Sequence, residues 1–64
     1  MNSLDLRGHI GNIRLQHIKG QKTKEETILA LQSIDWSNIE EWEVCPIANL
    51  QTIVNDFIAK LNAE

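Results

Sequence analysis

The sequence predicts an all-α fold, a small domain of three main helices and a short fourth element over residues 1–64. Three observations predict it. The last third of the chain has helical periodicity, a capping-box motif precedes the second segment, and a glycine follows the first segment where a helix would end. A chain of 64 residues forms one domain at most.

The C-terminal segment from Pro46 to Asn62 has the clearest pattern. On a helical wheel its large apolar residues fall within an arc of about 140°, and its polar residues fall on the other side. Pro46 suits the first helical turn, where its missing N–H group has no partner to lose. The pattern predicts a long amphipathic helix that buries Ile47, Leu50, Ile53, Val54, Phe57, Ile58 and Leu61.

Residues 4–19 are compatible with two structures. As a helix, the segment has apolar stripes on two sides, which predicts that neighbours cover both. We favour this helix, with Gly20 at its C-terminal end and with Gly8 and Gly11 where another backbone approaches closely. The alternative is a β-hairpin that turns at residues 8–12 and gives an α+β fold. The two stripes are Leu6, Ile10, Ile13 and His17, and Leu4, Leu15 and Ile18.

The second helix begins at a capping box. In Thr23-Lys24-Glu25-Glu26, the Thr23 side chain accepts from the amide three residues on, and Glu26 reaches back to the Thr23 amide. This motif predicts a helix from Lys24 to about Ser33. Its buried stripe is Ile28, Leu31 and Ile34, with Leu29 and Ala30 beside it.

The segment that links the second and last helices has a weaker pattern. Ser37–Glu40 forms a second possible capping box, and Trp36, Ile39 and Trp42 recur at every third residue. A helix of one or two turns fits this spacing, and it would end at Cys45 because the residue before a proline avoids the α region. A short strand from Trp42 to Cys45 is the alternative.

The composition predicts a homo-oligomer. The chain has 22 large apolar residues (Met, Leu, Ile, Val, Phe and Trp) among 64, which is generous for a monomer near the lower size limit of an independent core. With one cysteine and no zinc-ligand cluster, a second subunit is the ordinary remaining source of stability. We place the contact at a row of short side chains that lets another helix approach closely, and a solvent-exposed row is the alternative. The row is Ala48, Thr52, Asn55 and Ala59.

The sequence predicts no enzyme activity, metal site or cofactor. His9 and His17 would lie about 12 Å apart along a helix, too far to share a metal ion. Cys45 has acidic neighbours and no nearby histidine to act as a base, so a small buried thiol is favoured over a nucleophile. No apolar run spans a membrane and no signal-peptide pattern is present, which predicts a soluble, cytoplasmic protein without a membrane contact.

The net charge of -3 conceals two segments of opposite sign. Residues 1–24 contain five Lys and Arg against one Asp, a charge of +4, whereas residues 25–64 contain one Lys against eight Asp and Glu, a charge of -7. Such a division predicts contact with charged partners, or between the basic part of one copy and the acidic part of another.

The acidic segment predicts a docking surface for a basic partner protein. Its carboxylates interleave with tryptophans, which are enriched among interface hot spots. Packing of both tryptophans in the core is the plainer interpretation. On the docking hypothesis, the chain is a non-enzymatic regulator or inhibitor that occupies its partner's surface. The candidate residues are Trp36, Glu40, Glu41, Trp42 and Glu43.

The basic segment supports an alternative function, the capture of an anionic small molecule such as a nucleotide. Basic side chains would line a phosphate site, and the amides at the start of the helix at Lys24 would add donors. No phosphate-loop, zinc-finger or RNA-binding motif is present, so a solvated basic face is the plainer interpretation. The candidate residues are Arg7, His9, Arg14, His17, Lys19, Lys22 and Lys24.

Overall fold

A computed structural model of the chain describes all of residues 1–64 as a bundle of three α-helices. Helix α1 spans Ser3–Ile18, α2 spans Lys24–Gln32 and α3 spans Ile47–Asn62, with a single 3-10 turn at Trp36–Asn38 between α2 and α3. No sheet forms, and β-type pairing is confined to two isolated bridges. The all-α prediction is confirmed. The hairpin alternative for residues 4–19 is wrong because α1 takes up that segment.

Helix α1 begins and ends where its sequence supplies caps. The Asn2 side chain accepts a hydrogen bond from the Asp5 amide at 2.8 Å, which satisfies a donor that has no partner within the helix. Gly20 follows the last turn with a φ of 77°, a left-handed conformation that glycine adopts without a Cβ clash. The predicted helix and its terminal glycine are therefore confirmed.

Only one of the two apolar stripes of α1 is buried. Leu6, Ile10 and Ile13 lie in the core, and His17 is half-buried. The second stripe is exposed, and its last member, Ile18, is 67% exposed. Helices α2 and α3 both pack on the first stripe, so no part of the chain is left to cover the second. The expectation that neighbours within the chain cover both sides of α1 is wrong.

The two central glycines of α1 face open space. A Cβ built on either Gly8 or Gly11 has no neighbouring atom within 4 Å, so the predicted close approach of another backbone does not occur within this chain. Both glycines lie on the same outer face of α1 as the second stripe. Successive residues of this face are alternately four and three positions apart in the sequence. This outer face, accessible to another molecule, consists of Leu4, Gly8, Gly11, Leu15 and Ile18.

Helix α2 confirms the capping box. The Glu26 amide donates to Thr23 Oγ1 at 3.1 Å, and the Glu26 carboxylate accepts from the Thr23 amide at 3.0 Å. Hydrogen bonds from the Thr23 backbone, and secondarily from its side chain, lower the pKa of the Glu26 carboxyl group. Leu31, at the centre of the predicted stripe, is buried, whereas Leu29 beside it is exposed.

Helix α3 runs in the same direction as α1. Its start lies near the start of α1, where the Cys45 thiol is 3.6 Å from the Ser3 carbonyl oxygen. Farther along both helices, the rings of His17 and Phe57 meet edge to face with their centroids 6.3 Å apart. The two helices therefore lie side by side along their length, and α2 packs against both of them.

The predicted apolar face of α3 is mostly turned to the core. Leu50, Val54 and Leu61 are buried, but Ile53 at the edge of the face is 50% exposed. Pro46 is the N-cap of the helix and supplies no side-chain hydrogen bond to it. The central cluster of the core consists of Leu6, Ile10, Ile13, Leu31, Cys45, Leu50 and Val54.

The segment between α2 and α3 departs from its prediction. Asp35 caps the turn at Trp36–Asn38, because its carboxylate accepts from both the amide and the hydroxyl of Ser37. The Ser37 hydroxyl contributes most to lowering the pKa of the Asp35 carboxyl group. The second capping box is therefore wrong. Neither the longer helix nor the strand forms, since Trp42–Cys45 is a turn closed by the Cys45 amide, which donates to the Trp42 carbonyl at 2.9 Å.

Candidate interaction surfaces

The acidic loop, defined as Glu40–Val44, has a fixed backbone. Ser3 is fully buried, and its Oγ accepts a hydrogen bond from the Trp42 amide at 2.9 Å. The Ser3 amide donates to the Glu40 carbonyl at 2.8 Å, and the Glu40 amide donates to the Met1 carbonyl at 3.0 Å. These bonds hold the loop against the first turn of α1. The glutamate side chains are not needed to position it.

The side chains of the acidic loop form an exposed surface that is both apolar and acidic. Trp42 is 40% exposed and Val44 is 78% exposed. Glu40, Glu41 and Glu43 are exposed as well. Three exposed glutamates thus lie beside one partly exposed and one largely exposed apolar side chain in the same loop. Val44 was not among the predicted partner-binding residues.

Trp36 does not belong to this surface. It is half-buried and packs against the core, where it borders a hollow between α2 and α3 with Leu31, Val54 and Ile58. Of the five residues predicted to bind a partner, four lie together in the acidic loop and Trp36 lies apart from them. Trp36 packs as the core interpretation predicts, whereas Trp42 is partly exposed, and the docking surface stays a prediction.

A groove between α1 and α3, called the α1–α3 groove below, gathers part of the predicted basic site. Its volume is about 540 Å³. Arg7, Arg14 and His17 line it from α1, and Lys60 lines it from α3 although Lys60 belongs to the acidic segment of the sequence. The apolar lining consists of Ile10, Ile18, Leu50, Ile53, Phe57 and Leu61.

Two carboxylates reduce the positive charge of the α1–α3 groove. Asp56 lines it from α3, four residues before Lys60, and Glu64 lines it from just beyond the end of α3, four residues after Lys60. The α1 wall therefore carries only positive charge, whereas two carboxylates against one ammonium give the α3 wall a net charge of -1. An acidic group in this groove is attracted along α1.

His17 has a defined hydrogen-bonding state within the groove. Its Nδ1 lies 3.1 Å from the Lys22 carbonyl oxygen. Because a carbonyl oxygen only accepts, Nδ1 carries the hydrogen, and Nε2 is the nitrogen left for another partner. The bond ties the end of α1 to the linker before α2.

The remaining predicted basic residues lie outside the α1–α3 groove. His9 borders a separate hollow with Asp35 and Asn38. At the start of α2, the capping box already brings the Glu26 carboxylate to the helix end, so that end holds an anion of its own. The other residues outside the groove are Lys19, Lys22 and Lys24.

Cys45 fits the interpretation of a small buried thiol. It is in the central core cluster, and its sulfur donates weakly to the Ser3 carbonyl. The structure brings no three His, Cys, Asp or Glu side chains into a group that could hold a metal ion.

The row of short side chains on α3 is exposed along its whole length. The Thr52 hydroxyl donates to the Ala48 carbonyl at 3.0 Å, so it is bonded to the helix's own backbone. Asn55 also borders the hollow beside Trp36. The row, Ala48, Thr52, Asn55 and Ala59, stays a predicted contact between copies.

No helix of the chain combines the length and the apolar character that crossing a membrane requires.

Comparisons with known protein families, with curated proteins and with solved structures find no match to the chain.

Proposed function

We propose that the chain is a non-enzymatic protein-interaction module, a small regulator or inhibitor that occupies the surface of a basic partner protein with its acidic loop. The observation that carries the proposal is the setting of Trp42. This tryptophan is 40% exposed between two glutamates, on a loop whose backbone is bonded to a buried serine. Tryptophan is enriched among the residues that dominate binding energy.

The fixed backbone of the acidic loop favours binding. Association is opposed by the loss of conformational freedom at the interface, and a loop that is already ordered loses less of it. The three glutamates add long-range attraction to a basic surface, which speeds encounter more than it tightens the complex. Apolar contact by Trp42 and Val44 then supplies most of the affinity.

The cytoplasm is the proposed compartment. The only cysteine, Cys45, is a free thiol in the core cluster. Disulfides form in oxidising compartments, and a chain that needs none suits a reducing one.

Capture from a native lysate tests the role of Trp42. The chain and its Trp42→Ala variant are immobilised, and the retained proteins are compared by mass spectrometry. We expect proteins with a basic surface to be retained by the parent and lost with the variant, since truncating a central aromatic residue costs about 2 kcal/mol or more of binding free energy.

The matched control for this experiment is Leu29→Ala. Leu29 is also exposed and apolar, but it lies on α2 and is not part of the acidic loop. Proteins retained by the parent and by Leu29→Ala, but not by Trp42→Ala, support the proposal. If the parent, Leu29→Ala and Trp42→Ala retain the same proteins, the proposed role of Trp42 is contradicted.

A second candidate function is the capture of an anionic small molecule such as a nucleotide. The observation that favours it is the meeting of Arg7, Arg14, His17 and Lys60 in one groove. Phosphate groups are bound by such clusters of cationic donors. Asp56 and Glu64 in the same groove oppose an anion, which places this function second.

Thermal melting across a panel of nucleotides tests this second function. A ligand that binds only the folded chain stabilises it by about 2.7 kcal/mol at one hundred times its Kd. If the groove binds nucleotides, Arg14→Ala should abolish the rise in Tm, and Lys24→Ala, outside the groove, should preserve it. Flat melting curves for the parent, or equal loss with both variants, contradict a nucleotide site in the groove.

A further inference from the structure

The acidic loop and the α1–α3 groove are complementary in charge and in apolar character. The loop surrounds Trp42 and Val44 with glutamates, and the groove sets a basic α1 wall beside apolar side chains. We infer that the acidic loop of one copy of the chain binds in the α1–α3 groove of a second copy. The inference rests on the proposed function, because it assigns the basic surface that the acidic loop occupies to the α1 wall of a second copy. A second copy bound in this way competes with any other basic protein for the loop.

The apolar parts of the two surfaces match. Ile18 on α1 and Ile53 on α3 both line the groove, and they are 67% and 50% exposed. Insertion of Trp42 beside them removes apolar surface of both copies from water. The groove volume of about 540 Å³ is within the range of sites that enclose drug-sized ligands, so it accommodates an indole ring.

The charged parts match along α1. Arg7 and Arg14 are seven residues apart, about 10 Å along the helix axis, and Gly11 lies between them without a side chain. Trp42 has a glutamate on each side in the sequence. An indole ring that sits over Gly11 brings its two neighbouring glutamates toward the two arginines, while Asp56 and Glu64 stand on the other wall.

The acidic loop of one chain does not reach the part of its own groove that lies beside Gly11. The loop is bonded to Ser3, and Gly11 is eight residues farther along α1, a distance of about 12 Å. The bonds that fix the loop therefore keep it from its own groove, and a second copy supplies the contact. When each loop meets the other copy's groove, the result is a twofold dimer with two identical contacts.

Sedimentation equilibrium of the whole chain tests the inference with two charge-reversed variants. Glu41→Lys with Glu43→Lys makes the loop basic, and Arg7→Glu with Arg14→Glu makes the α1 wall acidic. We expect the parent to associate at micromolar concentration. Each variant alone should have an apparent Kd raised about tenfold or more, because like charges then face each other.

A mixture of the two charge-reversed variants is the decisive sample. The basic loop of one variant then meets the acidic groove of the other, and the acidic loop meets the basic groove, so the mixture should associate as the parent does. A parent that is monomeric at millimolar concentration overturns the inference. So does association of either variant alone at the parent's Kd, or a mixture that associates no better than its components.

Folding of each variant is checked by circular dichroism. If a charge reversal unfolds the chain, glutamine at the same pair of positions replaces it. Each glutamine pair alone should still raise the Kd, because one side of the ionic contact is lost. An unchanged Kd for both glutamine pairs overturns the inference as well.

Gly8 and Gly11 provide a matched pair of uncharged variants. Alanine at either position meets no atom of the chain and favours the helix, so both variants should melt at a higher temperature than the parent. Only Gly11 lines the groove, so Gly11→Ala should weaken association and Gly8→Ala should not. Equal association of the two variants overturns the placement of the ring over Gly11.

Failure of this inference is distinguishable from failure of the proposed function. A monomeric parent whose capture of other proteins still depends on Trp42 overturns the second copy as partner and leaves the acidic loop as a docking surface. Capture and self-association that are both unaffected by Trp42→Ala overturn the two together.

Discussion

Replacement of Leu50 by alanine is expected to lower the free energy of unfolding by about 2–5 kcal/mol. Leu50 is 2% exposed and belongs to the central core cluster. Its truncation removes buried apolar surface and leaves a cavity that a small bundle fills only in part. The core of so short a domain rarely supplies more than about 3–5 kcal/mol, so much of this variant should be unfolded at room temperature. Urea denaturation followed by circular dichroism measures the change.

Ile53→Ala is the control on the same helix. The two residues are three positions apart, but Ile53 is 50% exposed, so its truncation should cost less than about 1 kcal/mol. Phe57→Ala should fall between them, because Phe57 is half-buried at the edge of the α1–α3 groove. Equal losses for Leu50→Ala and Ile53→Ala would mean that the buried face of α3 is assigned wrongly.

The parts of the fold that were predicted correctly depend on local spacing. The Thr23–Glu26 capping box and the terminal Gly20 each involve residues within one helical turn, so the sequence contains the whole interaction. The face of α3 follows from its 3.6-residue period in the same way. Periodicity alone left two apolar stripes on α1, and only the packing of the other helices selects the buried one.

The acidic loop was predicted incompletely because its conformation depends on distant residues. The bond between the Trp42 amide and Ser3 Oγ joins positions 39 residues apart. No local pattern distinguishes a tryptophan fixed in this way from one in the core, since each tryptophan directly follows an acidic residue, Asp35 before Trp36 and Glu41 before Trp42. Val44 follows no apolar period, so its exposure is set by the turn at Trp42–Cys45.

Only part of the basic lining of the α1–α3 groove could be predicted from the sequence, because the rest depends on how distant segments pack. Arg7 and Arg14 share a face of α1 because they are seven residues apart, which helical geometry gives directly. Lys60 reaches the same groove only because α3 runs alongside α1. A single sequence does not specify that arrangement, although the place of Lys60 beside the apolar arc of α3, next to Ile53 and Phe57, is consistent with a rim position.

Ser3→Ala is expected to have the second-largest effect, and it acts on both stability and binding. Ser3 is fully buried, and its Oγ is the acceptor for the Trp42 amide. Alanine leaves that donor without a partner, which costs about 1–3 kcal/mol of unfolding free energy. The Trp42 amide should then exchange its hydrogen faster in deuterated solvent, whereas the Leu31 amide in α2 should change only as far as global stability does.

The control for Ser3→Ala is Ser33→Ala, which removes an exposed hydroxyl that donates to the Leu29 carbonyl and should be nearly neutral. A buried Ser3 cannot contact a partner, so a loss of partner capture with Ser3→Ala has to act through the order of the acidic loop. We expect Ser3→Ala to weaken capture of partner proteins less than Trp42→Ala does. The tryptophan is still present in Ser3→Ala, but ordering its loop on binding costs more conformational entropy. Unchanged exchange at Trp42 together with unchanged capture would show that the hydrogen bond to Ser3 does not set the conformation that binds.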